Sequence, residues 1–208
     1  MIIGFIGMSG VGKSHWAAKL GALGFARIHT DEQIEERLRA DPRAGSLPPE
    51  GSGAWMGFPD QPGYAEREAL FLEHEAEVLR ATAALVADHA RRGQDLVVDM
   101  GGSVIYADPG LLEAIRRIAR LVYFTIPPEV HRSMLEDYFR NPKPLVWGGA
   151  FQPLPGEPRK QTFARCYSQL IGFRADRYAA WADLQLPYAF YRQPHLDAAA
   201  FLARLREQ

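Results

Sequence analysis

A glycine-rich segment near the first residue constrains this sequence more than any other feature. Residues 7–14 read Gly-Met-Ser-Gly-Val-Gly-Lys-Ser, which is the P-loop pattern of Gly, four free positions, Gly, Lys and then Ser or Thr. The glycines of such a loop let successive backbone N–H groups face an anion, while the lysine reaches the β- and γ-phosphates and the hydroxyl ligates Mg²⁺. The apolar run 2–6 precedes the segment and a helical pattern follows it, which places the phosphates at a helix N-terminus. The sequence therefore predicts a site for a nucleoside triphosphate with Mg²⁺.

The charge balance of the chain argues against several classes of partner. Its 208 residues hold 24 Lys and Arg against 25 Asp and Glu, so we expect neither nucleic acid nor a membrane surface as a partner. Cys166 is the only cysteine, which excludes an internal disulfide and a multi-cysteine metal site. The first residues lead into a short apolar run rather than a signal peptide, and no apolar run approaches the length of a membrane span. We expect a cytoplasmic protein that is a monomer or a weak homodimer.

Strand and helix patterns alternate along the chain. This alternation predicts an α/β fold, a three-layer α/β/α sandwich around a five-stranded, mostly parallel sheet. The predicted strands span 2–6, 26–29, 95–99, 121–125 and 186–190. The predicted helices span 15–23, 31–40, 64–92, 109–119, 128–140, 160–182 and 196–206.

Two irregular segments, 41–63 and 141–158, interrupt the alternation. Both are rich in proline and glycine and carry aromatic residues, among them Trp55 and Trp147. Long irregular loops inside compact domains are usually functional lids or linkers, and the embedded aromatics favour lids, although plain surface insertions remain an alternative. We therefore expect a single domain over 1–208, with a substrate-side insertion at about 41–63 and a lid at about 141–158.

Beyond the P-loop, several segments occur in the order used by shikimate kinases. Residues 29–35 resemble that family's Asp-x-Asp-x-x-Ile-Glu segment, 99–104 its triple-glycine loop, 143–146 the Arg-Pro-Leu-Leu of its lid, 174–178 with 182–183 its substrate-arginine helix, and 192–194 its adenine loop. The resemblance covers nearly the whole chain. It implies a P-loop NTPase fold of the nucleoside monophosphate kinase type, which uses MgATP to phosphorylate a hydroxyl of a small molecule. Gluconate kinases share this general architecture.

The P-loop and the resemblance together assign roles to individual residues. The candidate nucleotide-binding residues are Gly7, Ser9, Gly10, Val11, Gly12, Lys13, Ser14 and His15, with Arg192 and Pro194 beside the adenine. Asp31 is predicted to orient the acceptor hydroxyl and accept its proton, and the resemblance implies acceptor contacts from Gly101, Gly102 and Arg174. Arg140 and Lys143 are expected to bring positive charge from the lid, so the predicted catalytic residues are Lys13, Asp31, Arg140 and Lys143.

One departure from the family concerns the metal. His29 stands where the family has its first, Mg²⁺-contacting aspartate, and a neutral imidazole is a poor ligand for this hard cation. Asp99 ends an apolar run as a Walker B aspartate does. We therefore predict Ser14 and Asp99 as the metal-binding residues. The alternatives are that His29 is an inert residue at a strand end and that Asp99 caps a loop.

A second departure concerns the acceptor. The segment Phe71–Glu75 carries Leu72 where the family's Phe-Arg-x-x-Glu motif has a substrate-binding arginine. Arg67 lies roughly 140° away around the helix and cannot replace it. We predict that shikimate is a poor substrate, and that the acceptor is a sugar acid, a polyol or a cyclitol-like alcohol. Two alternatives remain, a nucleoside or nucleotide kinase and a nucleotide-binding protein with little kinase activity.

Overall fold

The protein is built on one parallel sheet, as seen in a computed structural model that describes residues 1–207. Its strands are β1 (Ile2–Ile6), β2 (Ala26–His29), β3 (Leu96–Asp99), β4 (Arg120–Phe124) and β5 (Leu184–Leu186), arranged in the order β2-β3-β1-β4-β5. Every pairing is parallel. All residues of β1 and β3 are buried, so helices cover both faces of the sheet, as parallel sheets require. The predicted α/β fold is confirmed, with a sheet that is wholly rather than mostly parallel.

Nine helices accompany the sheet over residues 1–207. They are α1 (Lys13–Gly21), α2 (Thr30–Ala40), α3 (Ser52–Met56), α4 (Tyr64–Arg91), α5 (Pro109–Arg116), α6 (His131–Arg140), α7 (Arg159–Trp181), α8 (Tyr188–Tyr191) and α9 (Ala198–Arg206), with short 3₁₀ turns at Pro42–Ala44, Val104–Tyr106 and Pro128–Val130. None is both long and apolar enough to cross a membrane.

The last predicted strand was placed wrongly. Only Leu186 of the predicted range 186–190 is a strand residue, because Tyr188–Tyr191 form helix α8. Pro187 lies between the two elements with φ −62°. Its missing N–H and fixed φ end a strand and suit the residue that precedes a helix.

The carboxyl ends of the central strands converge on one edge of the sheet. Asp99 at the end of β3 is in register with Phe5 of β1 and with His29 at the end of β2. β1 lies in the middle of the sheet, between β3 and β4. After β1 the chain forms β2 and β3 on one side of it, and then β4 and β5 on the other side. Ligands of parallel α/β sheets bind at such a switch point, outside the carboxyl ends of the strands.

The insertion is anchored to the domain. Ser52, Gly53 and Met56 of α3 are buried, and the Ser52 backbone N–H and hydroxyl donate hydrogen bonds of 2.9 and 2.8 Å to the Glu35 carboxylate on α2. Around residue 53 the packing is tight, because a Cβ on Gly53 would overlap the backbone carbonyl of Pro142. The insertion and the start of the predicted lid are therefore in direct backbone contact.

The centre of the predicted lid belongs to the core. Leu145, Val146 and Trp147 are buried, and the Tyr64 hydroxyl donates a 2.6 Å hydrogen bond to the Leu145 carbonyl. The Glu68 carboxylate accepts from the Trp147 backbone N–H. Closure of a lid over 141–158 stays a prediction. Such a motion would involve the exposed residues on either side of Leu145, Val146 and Trp147, because these three are held in the core.

Candidate active site

The P-loop adopts a conformation that depends on glycine. Gly7, Gly10 and Gly12 have φ values of 138°, 82° and 109°, a region that glycine enters without the steric cost of a side chain. A Cβ on Gly10 or Gly12 would meet no atom within 4 Å, so their backbone conformation rather than lack of space requires glycine. Helix α1 begins at Lys13, directly after the loop. The loop therefore presents its backbone at a helix N-terminus, the arrangement that binds phosphate.

Lys13 lies at the floor of this loop. The side chain is buried, and its Nζ donates 2.9 Å hydrogen bonds to the carbonyls of Gly7 and Met8. Burial lowers the pKa of Lys13 below its ordinary value, against the opposing effect of Asp99 and Asp31. Phosphate oxygens entering the loop offer this ammonium group stronger, charged acceptors than the two carbonyls.

A cleft of about 620 Å³ opens over the P-loop. It is lined by P-loop, strand-end, α2, insertion and lid residues: Ser9, Gly10, Gly12, Lys13, Ser14, His29, Asp31, Glu32, Glu35, Glu36, Arg39, Glu50, Ser52, Gly53, Asp99, Pro142, Lys143 and Pro144. Five residues with predicted catalytic or metal-binding roles thus meet in one cavity: Lys13, Ser14, Asp31, Asp99 and Lys143.

Asp99, His29 and Ser14 form the metal side of the cleft. The His29 Nε2 atom lies 3.1 Å from Ser14 Oγ and 3.0 Å from Asp99 Oδ2. Contact with Asp99 raises the pKa of His29 above its ordinary value. Burial alone would raise the pKa of Asp99, but His29 and Lys13 hold it below its usual range. The imidazole thus contacts both predicted metal ligands, and the roles of all three residues stay predictions.

The residues present fit a Mg²⁺ ion. Asp99 is 3 % exposed, and it lines the cleft beside Ser14. Within that range no three His, Cys, Asp or Glu side chains form a metal-binding group. This agrees with Mg²⁺ chemistry, since the ion takes one or two protein ligands and completes its shell with phosphates and water.

Asp31 lies in the first turn of α2 and lines the same cleft. Burial raises the pKa of its carboxyl group, against the lowering effect of Lys13. A Cβ on Gly101 would overlap Asp31 Oδ1 and would lie 3.2 Å from Glu75 Oε1. Gly101 therefore makes room for two carboxyl groups of the protein. It does not line the cleft, where the prediction placed it against the acceptor.

Glu75 was missed by the sequence analysis. Its side chain is 1 % exposed, its Oε1 accepts a 2.7 Å hydrogen bond from Ser103 Oγ, and burial raises its pKa to about 8. The available signal was its position, since Phe71, Glu75 and Val78 fall on one apolar helix face. A carboxyl group on such a face is buried and needs an explanation.

Arg174 is not where the resemblance implied. It is 1 % exposed and does not line the cleft. Its guanidinium donates to the Gly102 carbonyl at 3.0 Å and to the Val146 carbonyl. The Tyr178 hydroxyl also donates to Gly102, which likewise stays outside the cleft lining. In this structure Arg174 and Gly102 connect the lid centre to the loop after β3, and contact of either residue with an acceptor stays a prediction.

Of the two lid cations, only Lys143 lines the cleft. Arg140 is 71 % exposed, and its guanidinium lies 3.6 Å from Glu136, one turn earlier on α6. It is therefore directed along its own helix. A role for Arg140 at the phosphates stays a prediction that requires a change of its side-chain position.

A second pocket of about 180 Å³ lies beside the P-loop. It is lined by Ser9, Gly10, Val11, Ile126, Val130, Ser133, Met134, Asp137, Tyr188 and Arg192. The Arg192 guanidinium lies 5.4 Å from the centre of the Tyr188 ring. Pro194 and His15, also predicted near the nucleotide, line neither pocket, and the exposed His15 ring packs edge-on against Trp16.

A family comparison supports this view of the fold and the loop. The model of a family described as an AAA domain matches residues 2–140, which is more than half of the chain and includes the P-loop. The chain belongs to this AAA domain family. Among curated proteins, no sequence matches it.

Three solved kinase structures are similar to this chain in fold. A shikimate kinase from Acinetobacter baumannii in complex with shikimate is 20 % identical with a TM-score of 0.60, covering 98 % of this chain and 88 % of its own. A shikimate kinase from Bacteroides thetaiotaomicron is also 20 % identical, with a TM-score of 0.58 and coverage of 99 % and 96 %. A dephospho-CoA kinase from Campylobacter jejuni is 16 % identical, with a TM-score of 0.52 and coverage of 98 % and 96 %. The resemblance to the shikimate kinase fold is confirmed, and at this identity the likeness concerns the fold alone.

Proposed function

We propose that this protein is an ATP-dependent kinase that transfers the γ-phosphoryl group to a hydroxyl of a small molecule other than shikimate. The observation that carries the proposal is the meeting of Lys13, Asp99 and Asp31 around one cleft. A P-loop lysine with a buried strand-end carboxylate serves the nucleotide and its metal. A second carboxylate on another element is what an acceptor hydroxyl needs.

The donor half of the reaction follows from the P-loop. Its backbone N–H groups and Lys13 hold the β- and γ-phosphates. Ser14 and Asp99 would hold Mg²⁺, which when bound would neutralise charge developing on the phosphoryl oxygens. The pocket beside Tyr188 and Arg192 suits the nucleobase. Lys143, at the cleft edge, adds a donor for the transferred group.

The acceptor half depends on Asp31. The carboxylate orients the acceptor hydroxyl toward the γ-phosphate and takes its proton as the new O–P bond forms. Its pKa, raised by burial, brings the group closer to neutral pH and makes it a better base than an exposed aspartate. Most of the rate enhancement comes from positioning and electrostatics, as in other phosphoryl transfers.

The cleft favours an alcohol acceptor over a phosphate acceptor. A nucleotide kinase needs arginines that face the acceptor phosphate. Here Arg39 is the arginine in the lining of the cleft, and it is paired at 2.6 Å with Glu35. Shikimate would also lack the two arginines that bind its carboxylate in the family, because Leu72 replaces one and Arg174 does not line the cleft. Of the predicted acceptors, a polyol or a cyclitol-like alcohol fits better than a sugar acid.

Two variants test the proposal in a coupled ADP-release assay over a panel of polyols and cyclitols. Lys13→Ala should weaken ATP binding, because the β- and γ-phosphates lose their cation. Asp31→Asn should keep ATP binding within about twofold and lower acceptor-dependent kcat by about 10²–10⁴-fold. If wild-type protein binds ATP but releases ADP with no panel member, the nucleotide-binding alternative replaces the kinase.

A further inference from the structure

We propose that Gly53 of the insertion positions Lys143 of the lid for phosphoryl transfer, so that the acceptor side of the cleft and this cation form one unit. The proposal rests on the kinase function above, because it concerns the charge that meets the transferred group in the same cleft. Gly53 acts through Lys143 and is therefore a positioning residue.

Gly53 and the lid are in contact through backbone atoms. A Cβ on Gly53 would overlap the carbonyl group of Pro142 and would lie 2.8 Å from the Cα atom of Lys143. Gly53 lies inside helix α3 and does not have a positive φ, so its backbone conformation suits any residue except proline. The missing side chain therefore serves the close approach. Since backbone atoms cannot rotate aside as the end of a side chain can, this contact fixes where the lid begins relative to α3.

Helix α3 is in turn fixed to the helix that carries Asp31. The Ser52 N–H and hydroxyl both donate to Glu35 Oε2, at 2.9 and 2.8 Å. Ser52 is 5 % exposed, so these bonds satisfy polar groups that water does not reach. Glu35 lies about one helical turn after Asp31 on α2. The helix that places Asp31 therefore also places Gly53.

The backbone around Lys143 has little freedom. Lys143 stands between Pro142 and Pro144. Proline fixes its own φ, and a residue before proline is confined largely to extended conformations. The carbonyl of the buried Leu145 accepts a 2.6 Å hydrogen bond from the Tyr64 hydroxyl. The chain is thus held by α3 before Lys143 and by α4 after it, and a shift of α3 displaces a cation that lines the cleft.

This arrangement matters because phosphoryl transfer depends on placement. A donor stabilises the charge that develops on the transferred group only when it is aimed at that group, and a displacement of about 1 Å costs on the order of 10²-fold in rate. Lysine is a point charge on a flexible side chain, so a fixed backbone supplies constraint that the side chain lacks. The contacts link Asp31, which receives the acceptor proton, to Lys143, which meets the phosphoryl group.

A double-mutant cycle of Gly53→Ala and Lys143→Met tests the proposal in the coupled ADP-release assay. Lys143→Met removes the charge and should lower acceptor-dependent kcat by about 10²-fold. Gly53→Ala forces α3 and the lid apart and should lower kcat at least about tenfold. In the Lys143→Met background the same alanine should cost less than about twofold, because the cation that it displaces is already gone.

Three results contradict the proposal and leave the kinase function standing. They are a Gly53→Ala variant with wild-type kcat, a Lys143→Met variant with wild-type kcat, and equal costs of Gly53→Ala in both backgrounds. The last result would show that the alanine disturbs the fold rather than the cation. Gly172→Ala is the matched control and should keep wild-type kcat, because Gly172 is also a helical glycine and a Cβ there meets nothing within 4 Å.

Ser52→Ala provides a second variant that does not crowd the contact. It removes the hydroxyl hydrogen bond to Glu35 and loosens α3. We expect kcat to fall about threefold in the wild type and to stay unchanged in the Lys143→Met background. If Tm measurements show that Gly53→Ala does not fold, Ser52→Ala takes its place in the cycle, and equal costs in both backgrounds again contradict the proposal.

Binding measurements decide the case in which no acceptor is phosphorylated. The ratio of the Kd for ADP to the Kd for a non-hydrolysable ATP analogue measures the contacts of the γ-phosphate, which only the analogue carries. Gly53→Ala and Lys143→Met should each lower this ratio about fivefold, and the double variant should lower it no further. That result supports the positioning of Lys143 and contradicts the kinase, whereas additive losses or an unchanged ratio contradict both.

Discussion

His29 and Asp99 face each other across the carboxyl ends of β2 and β3, with Nε2 3.0 Å from Oδ2. The same nitrogen lies 3.1 Å from the Ser14 hydroxyl, so one imidazole contacts both predicted metal ligands. His29 therefore contacts the residues that would hold Mg²⁺, while its imidazole is itself a poor ligand for that ion. A histidine beside a ligating carboxylate orients that carboxylate, which is how outer partners usually support a metal site.

Asp99→Asn should weaken the binding of Mg²⁺ more than it weakens the binding of ATP. The amide keeps the size of the side chain and removes the charge that the ion requires. We expect the Mg²⁺ concentration for half-maximal activity to rise by about 10–100-fold, measured by titrating Mg²⁺ at fixed ATP. An unchanged Mg²⁺ requirement would show that Asp99 caps the loop and does not serve the metal.

Gly101→Ala should damage catalysis without preventing nucleotide binding. The added methyl group overlaps Asp31 Oδ1, and displacing a catalytic carboxylate by about 1 Å costs on the order of 10²-fold in rate. ATP affinity, measured with a fluorescent analogue, should stay within about twofold. Gly172→Ala is the control, because a Cβ there meets nothing within 4 Å. The prediction fails if both variants keep wild-type kcat.

Glu75→Gln should change the pH dependence of stability. Burial raises the pKa of Glu75 from 4.5 to about 8, so the folded protein retains a proton that the unfolded chain releases. The stability that this group gives the wild type is complete below pH 4.5 and declines as the pH rises toward 8. The amide has no such loss, so the free energy of unfolding of the variant should rise relative to that of wild type across this window, by on the order of 4 kcal/mol. Urea denaturation from pH 5 to 9 measures the difference, and parallel curves would contradict it.

Arg174→Met should destabilise the fold rather than raise KM for the acceptor. The buried guanidinium donates to carbonyls of the loop after β3 and of the lid centre, and its removal leaves both without these donors. A loss of about 3 kcal/mol in the free energy of unfolding follows. Arg177→Met, on the exposed side of the same helix, should cost less than about 0.5 kcal/mol. A selective rise in acceptor KM with unchanged stability would instead restore the role implied by the family resemblance.

Features that depend on near neighbours in sequence were predicted, whereas features that depend on distant residues were not. The P-loop, β1 and α1 were predicted because glycine conformation and apolar runs act over a few neighbouring residues. Arg174 was assigned to the substrate because its actual partners are distant in sequence. The carbonyls to which it donates, those of Gly102 and Val146, lie 72 and 28 residues away. Glu75 went unnoticed because nothing near it in the chain indicates its approach to Gly101. Arg140 is paired on its own helix, an arrangement that the Glu136 spacing already allowed.

The amino-acid order alone establishes the phosphate-binding half of this protein, because a contiguous loop of eight residues contains the turns, the cation and the hydroxyl that phosphate requires. The acceptor half depends on packing. Glu50 of the insertion and Lys143 of the lid line the same cleft as Glu32 and Glu36 of α2, and only folding brings these residues together. The charge of a cleft is a sum over groups that are distant in sequence and close in space, so only the folded structure determines it.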